Sequence, residues 1–276
     1  MLNIKKILIP AIKNEIISFA TEYGITLFPD AVYHLVSVIP SMKRRSLYTR
    51  LYVGSFRKIA EDAFQDIEIV LNKHDCTAIK KAILKGNPVK EIRKYVKQYK
   101  IDLVIITSSA TPTPPPKLIG STATKIIGSL EIPILIITPY SYVNRDKLEK
   151  NKNGIGVLCR DPALINKALG YAYYIIKKHG FKHRLRIILP HTKDRIVDQE
   201  ILRRLSNMGL KVDLTLIRSD NLDIFVEKAL KEAQDLYLLI TMRGWRRIAK
   251  IPFLMGGLSR YERLLIGLSP IPILLV

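Results

Sequence analysis

The sequence predicts an α/β protein: two tandem doubly wound, five-stranded and mostly parallel sheets with flanking helices. Three observations carry that expectation. Short apolar, β-branched runs alternate with segments of helical spacing along the chain, the pattern of strand–helix–strand crossovers. The plan occurs twice, and equivalent places carry equivalent residues. Ile132-Pro133-Ile134-Leu135-Ile136-Ile137 parallels Ile271-Pro272-Ile273-Leu274-Leu275-Val276, and Asp102-Leu103-Val104-Ile105-Ile106-Thr107 parallels Asp235-Leu236-Tyr237-Leu238-Leu239-Ile240-Thr241. The length, 276 residues, suits about two domains of ordinary size. The two units are expected at 1–140 and 153–276, with a polar, charged seam between Tyr140 and Gly154.

In the first unit, Ile4–Ile9 is a short apolar strand and Asn14–Tyr23 a helix with Gly24 near its end. Ala31–Ile39 is the second strand, followed by an irregular basic stretch over 40–53. Phe56–Lys73 has helical spacing, with Ile59, Ala63, Ile67 and Val70 on one face. Cys76–Leu84 is a strand ended by Gly86, and Pro88 opens a helix to Tyr99, where a missing N–H does little harm. Leu103–Thr107 is an unbroken apolar strand of the kind covered on both faces. A loop stiffened by Pro114-Pro115-Pro116 leads to a helix from Ser121 to about Leu130 and the strand Ile134–Thr138.

The second unit repeats this order. Its strands are Gly154–Cys159, Leu185–Leu189, Val212–Ile217, Leu236–Thr241 and Ile271–Val276. Its helices are Pro162–His179, Asp194–Met208 (stopped by Gly209), Leu222–Ala233 and Ser259–Leu268.

Composition narrows the classes of function. Apolar types make up 48% and charged types 25%, enough for a packed core and unlike a disordered charged tail. Cys76 and Cys159 cannot staple a chain of this length and fit a reducing compartment. No apolar run reaches the length of a membrane span, and MLNIKKILIPA lacks the h-region of a secretory signal, so a cytoplasmic protein is expected. The formal net charge is +21. It divides as 20 Lys/Arg against 11 Asp/Glu before residue 141 and 25 against 13 after it, so neither half is a basic tail. No zinc-finger spacing, RNP-like strand or obvious helix-turn-helix accompanies the charge, which argues against a dedicated nucleic-acid binder.

Ligands of doubly wound sheets sit beyond the carboxyl ends of the strands, where strand order reverses. The loops to inspect therefore follow the first and fourth strands of each unit. In the second unit, Asp161 can accept hydrogen bonds from ribose hydroxyls or an adenine amino group. Gly244 permits close backbone approach, and Gly256-Gly257 precede a helix whose N–H groups suit a phosphate. Ser259 can cap that helix or donate a hydroxyl, and Arg243, Arg246 and Arg247 are anion donors on the same loop. Each feature also has a plain structural use: turn glycines, an ordinary cap, surface arginines. In the first unit Gly120-Ser121 opens a helix and offers amides, but Ile12 stands where the second unit has Asp161. No catalytic residue or metal site emerges: there is no H-E-x-x-H, C-x-x-C, G-x-S-x-G or complete phosphate-binding P-loop.

The order of elements and these loops resemble the universal stress protein family in its tandem two-domain form. Nucleotide-binding members carry Gly, two residues, Gly, nine residues, then Gly-Ser/Thr. The first unit keeps that spacing as Thr107-x2-Ala110-x9-Gly120-Ser121, and Gly86-Asn87-Pro88-Val89-x2-Ile92 matches the usual start of the family's third helix. The second unit has Asp161 at the place of the nucleotide-binding aspartate, with a longer loop from Thr241-x2-Gly244 to Gly257 and Ser259. The resemblance implies an adenine-nucleotide-alpha-hydrolase-like fold, a degenerate nucleotide site in the first unit and a partial one in the second. It implies ATP or AMP as ligand, with Mg2+ only alongside ATP, and a stress-response or signalling role in which any weak ATPase activity is a by-product. It also implies an internal pseudo-dimer through the two final strands, leaving room for a further homodimer. Two other readings stay open: a nucleotide-independent adaptor docking a partner through its basic surface, and nonspecific nucleic-acid binding, ranked below it.

Overall fold

The computed structural model describes residues 3–39, 41, 47–76, 79–108, 119–150, 154–160, 164–179, 184–191, 199–207, 209–243 and 258–276. The first half runs β1 (Lys6–Pro10), α1 (Ile17–Leu27), β2 (Val32–Ile39), α2 (Leu47–Lys73), β3 (Ile79–Lys85), α3 (Pro88–Tyr99), β4 (Leu103–Thr107), α4 (Ser121–Ser129) and β5 (Ile134–Ile137). Two short helices follow, α5 (Pro139–Val143) and α6 (Arg145–Lys150). The second half runs β6 (Ile155–Leu158), α7 (Ile165–His179), β7 (Arg184–Pro190), α8 (Gln199–Asn207), β8 (Lys211–Ile217), α9 (Leu222–Ala233), β9 (Leu238–Thr241), α10 (Arg260–Leu268) and β10 (Ile273–Leu275).

The two five-stranded groups join edge to edge into one sheet, in the order β3-β2-β1-β4-β5-β10-β9-β6-β7-β8. Every pairing within a half is parallel; β5 against β10 is antiparallel, with Leu135 opposite Leu274. The second half therefore repeats the order of the first in reverse, as an internal pseudo-dimer does. Both junction strands are apolar and fully buried, so each covers an edge that would otherwise offer unpaired backbone to other chains. The repeated prolines have one job in both halves. The Pro133 carbonyl accepts from Val104 N at 3.1 Å, and the Pro272 carbonyl accepts from Leu239 N at 3.0 Å, extending the ladder at a position that needs no N–H. The outer edge β3 carries exposed Lys80, Lys81 and Lys85, charges that discourage further pairing.

Helices pack by apolar stripes. α3 buries Ile92, Tyr95 and Val96, and α7 buries Ala168, Leu169, Ala172, Ile175 and Ile176, at the i, i+3, i+4 spacing of one face. α1 begins three residues later than the sequence suggests and continues through Gly24 to Leu27. Gly24 is a packing glycine: a Cβ there would collide with the Ile105 side chain on β4. α2 starts at Leu47, inside the stretch read from sequence as irregular, and passes through Gly54, around which there is open space. α5 and α6 occupy the polar seam, for which the sequence analysis named no helix. α5 is set by Thr138, whose Oγ1 accepts from Ser141 N at 3.1 Å while Ser141 Oγ accepts from Thr138 N at 3.0 Å.

Side chains also tie the two halves together. Tyr23 Oη donates to the Tyr237 carbonyl at 2.5 Å and the two rings stack at 4.7 Å. Burial pushes the Tyr23 phenol well above its ordinary pKa, so it stays a donor. Thr138 Oγ1 donates to the Ser269 carbonyl at 3.3 Å, and Lys178 pairs with Asp30 at 2.8 Å across the halves. The aspartates of the repeat have diverged in use: Asp102 accepts from the amides of Lys5 and Lys6, both at 2.9 Å, whereas Asp235 takes a two-pronged contact from Arg186.

Candidate functional site: two clefts at the strand ends

In the first half, β1 is flanked by β2 and β4, so its carboxyl end lies at a reversal of strand order. A cavity of about 470 Å³ opens there. Its walls are apolar: Ile12 beyond β1, Val36 and Val38 on β2, Pro88 and Ile92 on α3, Ile126 on α4. Polar atoms come from Ser37 on β2 and, at the β4–α4 end, from Thr107, Gly120, Ser121 and Thr122. Asn14 ties the β1 loop to that end: its Nδ2 donates to Thr107 Oγ1 at 3.0 Å while its Oδ1 accepts from Ile16 N at 3.0 Å. Asn87 caps α3 by accepting from Lys90 N at 3.2 Å, with Pro88 in the first turn. Gly120 precedes α4 in an extended conformation, and no side chain caps α4. Its first-turn amides therefore lack an intrahelical partner at the cavity's polar end. Among the described lining residues there is no ionisable side chain.

On β2, two residues before the cavity-lining Val36, His34 is fully buried, with Nδ1 3.0 Å from Tyr95 Oη. Its Nε2 has no hydrogen-bond partner among the described residues. Burial first, then the positive charges of Lys80 on β3 and Lys6 on β1, lower its pKa from 6.5 to about 4. Between those values the unfolded chain binds the extra proton and the folded chain does not. The stabilisation is complete above pH 6.5 and is lost as pH falls toward 4. His34→Asn, which keeps a polar atom near Nδ1, is expected to flatten the fall of the urea midpoint between pH 7 and pH 4.5. An identical fall in the variant would assign the acid sensitivity elsewhere, with His179, whose pKa burial also lowers, as the next group.

In the second half, β6 is flanked by β9 and β7, and Leu158 stands opposite Thr241. The chain leaving β6 through Cys159 and Arg160 thus runs beside the chain leaving β9 through Met242 and Arg243. Arg160 lies over the Tyr261 ring of α10, 5.2 Å from its centroid. Ser259 is the N-cap of α10 in a capping box: its Oγ accepts from Glu262 N at 3.2 Å, and Glu262 Oε2 accepts from Ser259 N at 2.7 Å. Glu262 is only 2% exposed, so a carboxylate already occupies this helix start. Arg243 turns away to the first half, donating to the carbonyls of Ile127 at 3.3 Å, Ile132 at 2.8 Å and Leu130. Asp161, Gly244, Arg246, Gly256 and Gly257 lie outside the described residues.

A family model described as the universal stress protein family matches residues 11–138. The first half is a universal stress protein family domain. The whole chain has the tandem two-domain architecture of that fold. It is similar to a universal stress protein from Archaeoglobus fulgidus DSM 4304, at 17% identity, covering 99% of this chain and 98% of that one, with a TM-score of 0.74. It is also similar to a functionally unknown protein from Pseudomonas aeruginosa PAO1, at 14% identity, 99% and 92% coverage and a TM-score of 0.61. No curated protein matches the chain. Among the described residues, no helix is long and apolar enough to cross a membrane.

The universal stress protein domain builds its cleft from more elements than its sequence suggests; the Pro114-Pro115-Pro116 loop lies outside the described residues. The loops after β1 and β4 are where a ligand is expected, but part of the cavity wall comes from the end of β2 and the start of α3. Val36, Ser37, Val38, Pro88 and Ile92 were not marked as site residues by sequence reasoning. The available signal was the Gly86-Asn87-Pro88 helix start following a strand that must border the one beside β1.

Proposed function

We propose that the chain is a non-enzymatic regulatory protein of the stress-response class whose second half holds an adenine nucleotide, ATP or AMP. In this reading Asp161 takes the ribose or base, and Gly244, Arg246, Gly256 and Gly257 receive the phosphates, with Arg160 nearby; Mg2+ accompanies ATP only. One observation supports it above the others: the Leu158–Thr241 register, which brings the chain leaving β6 beside the chain leaving β9 at a reversal of strand order. Calorimetric titration with ATP and AMP tests it. Asp161→Ala is expected to weaken binding about tenfold or more, the scale of a lost hydrogen bond to a charged group. Equal affinity in the variant would remove the proposed pocket.

A second reading is a nucleotide-independent regulator that docks a partner through its basic surface. Two contacts favour it. The Glu262 carboxylate fills the start of α10, and Arg243 is engaged with backbone carbonyls of the other half. Failure of the wild-type chain to bind either nucleotide would select it.

A further inference from the structure

We propose that the outward face of α3 binds the phosphate backbone of a nucleic-acid duplex without reading its sequence. This surface gives the second reading of the function a place and a partner, and rests on that reading rather than on the nucleotide site. α3 turns Ile92, Tyr95 and Val96 inward. Lys90, Arg93, Lys94, Lys97 and, one residue past the helix, Lys100 are exposed on the opposite side. Their spacing of three or four residues sets a cation on every turn, along about 15 Å. Glu91 is the only acid of α3, and it pairs with Lys94 at 3.1 Å. Lys80 on β3 widens the row. It stands opposite His34, whose ring meets Tyr95 and Tyr99, so it projects to the α3 side. Lys6 reaches the carboxyl end of α3, donating to the Tyr99 carbonyl at 3.1 Å.

The fold does not demand this charge. α9 holds the equivalent place in the second half and mixes Asp223, Glu227 and Glu232 with Lys228 and Lys231. On the far face of the sheet, α2 balances its bases with Glu61, Asp62, Asp66 and Glu68, and Glu68 takes Lys81 from the other side of β3. The form of the stripe selects the partner. Lysine is depleted from the centres of protein–protein interfaces, and α3 has no large exposed apolar side chain to anchor one. The antiparallel β5–β10 junction relates the halves by a two-fold perpendicular to the sheet, so α9 shares the face of α3. A flat anionic bilayer laid on that face would also meet the acids of α9. A linear polyanion running along α3 avoids them, and its phosphates neutralise several cations together.

The test uses the full chain and fluorescence anisotropy of two short DNA duplexes of unrelated sequence, over a range of salt. Equal affinity for both is expected, and log K should fall against log salt with a slope of about −4, as for four or five phosphate contacts. Lys90→Gln/Arg93→Gln/Lys94→Gln/Lys97→Gln should bring the slope to about −1 and weaken low-salt binding about a hundredfold or more. Lys58→Gln/Lys73→Gln/Lys228→Gln/Lys231→Gln removes as many exposed charges elsewhere and should bind as the wild type does. If the α3 variant melts early, Arg93→Gln/Lys97→Gln alone should still reduce the slope by about two. Absence of duplex binding at low salt overturns the proposal. It leaves the second reading to another partner, a bilayer if phosphatidylserine vesicles capture the chain. Equal losses in the two fourfold variants overturn the assignment to α3 while a basic surface still binds. A preference of about tenfold or more for one duplex overturns binding through the backbone alone.

Discussion

Leu135→Ala is expected to lower stability by about 3 kcal/mol, with a fall in melting temperature of roughly 6–10 °C. Leu135 is fully buried on β5, in the middle of the sheet and opposite Leu274 of β10. Removing three side-chain carbons there loses their transfer energy and leaves a cavity in a site held rigid by strands on both sides. Leu274→Ala should cost about as much, since the same junction is approached from the other half. The informative quantity is the double variant. If the antiparallel junction is one packed unit, the two losses will not add, and a coupling of about 0.5–3 kcal/mol remains. Calorimetric melting of the wild type, both single variants and the double variant measures it. Strict additivity would mean that the facing strands pack against their own halves and meet only through backbone hydrogen bonds.

The junction was also the part of the fold most legible in the sequence. Ile132-Pro133-Ile134 and Ile271-Pro272-Ile273 repeat because each half needs the same buried last strand, and two copies of an apolar edge can cover one another. The order of strands and helices was legible for a similar reason, since fully buried strands and amphipathic helices write different periods. What escaped was held by local chemistry. α5 and α6 lie over 139–150, a polar stretch whose helical state is set by the Thr138–Ser141 capping box and contacts such as Asn144 Nδ2 to the Pro270 carbonyl. The early part of α2 was hidden by the basic run before it and by Gly54, which costs a helix about 1 kcal/mol relative to alanine but is tolerated inside 27 residues.

The site was less legible. Sequence reasoning ranked the second half above the first because Asp161 and the glycine pair have recognisable chemistry. An apolar cavity has no such signature. It depends on the spacing between β2, α3 and α4, and its wall residues look like core in any alternating pattern. Glu262 illustrates the converse. On sequence it is an ordinary third residue of a helix, yet its carboxylate returns to Ser259 N and occupies the kind of position a phosphate would use.

Arg243→Ala is expected to cost about 2–3 kcal/mol, because a guanidinium bonded to several partly buried carbonyls is removed and those acceptors are left without it. Two of them, at Ile127 and Leu130, belong to the carboxyl end of α4, where a positive charge also interacts favourably with the helix dipole. Arg243→Lys should recover only part of the loss, since an ammonium keeps the charge but not the planar fork that reaches separate carbonyls. Lys167 on α7 supplies an independent readout. Burial and then the charge of Arg243 depress its pKa, so Arg243→Ala should let it rise toward its ordinary value, measurable by NMR titration of its side chain. The three measurements separate two uses of one arginine. As a clamp between the halves, it acts on melting temperature and on Lys167. As an anion donor it would act on nucleotide affinity, and an Arg243→Ala chain that melts like the wild type but binds ATP or AMP about tenfold more weakly would return it to the second cleft.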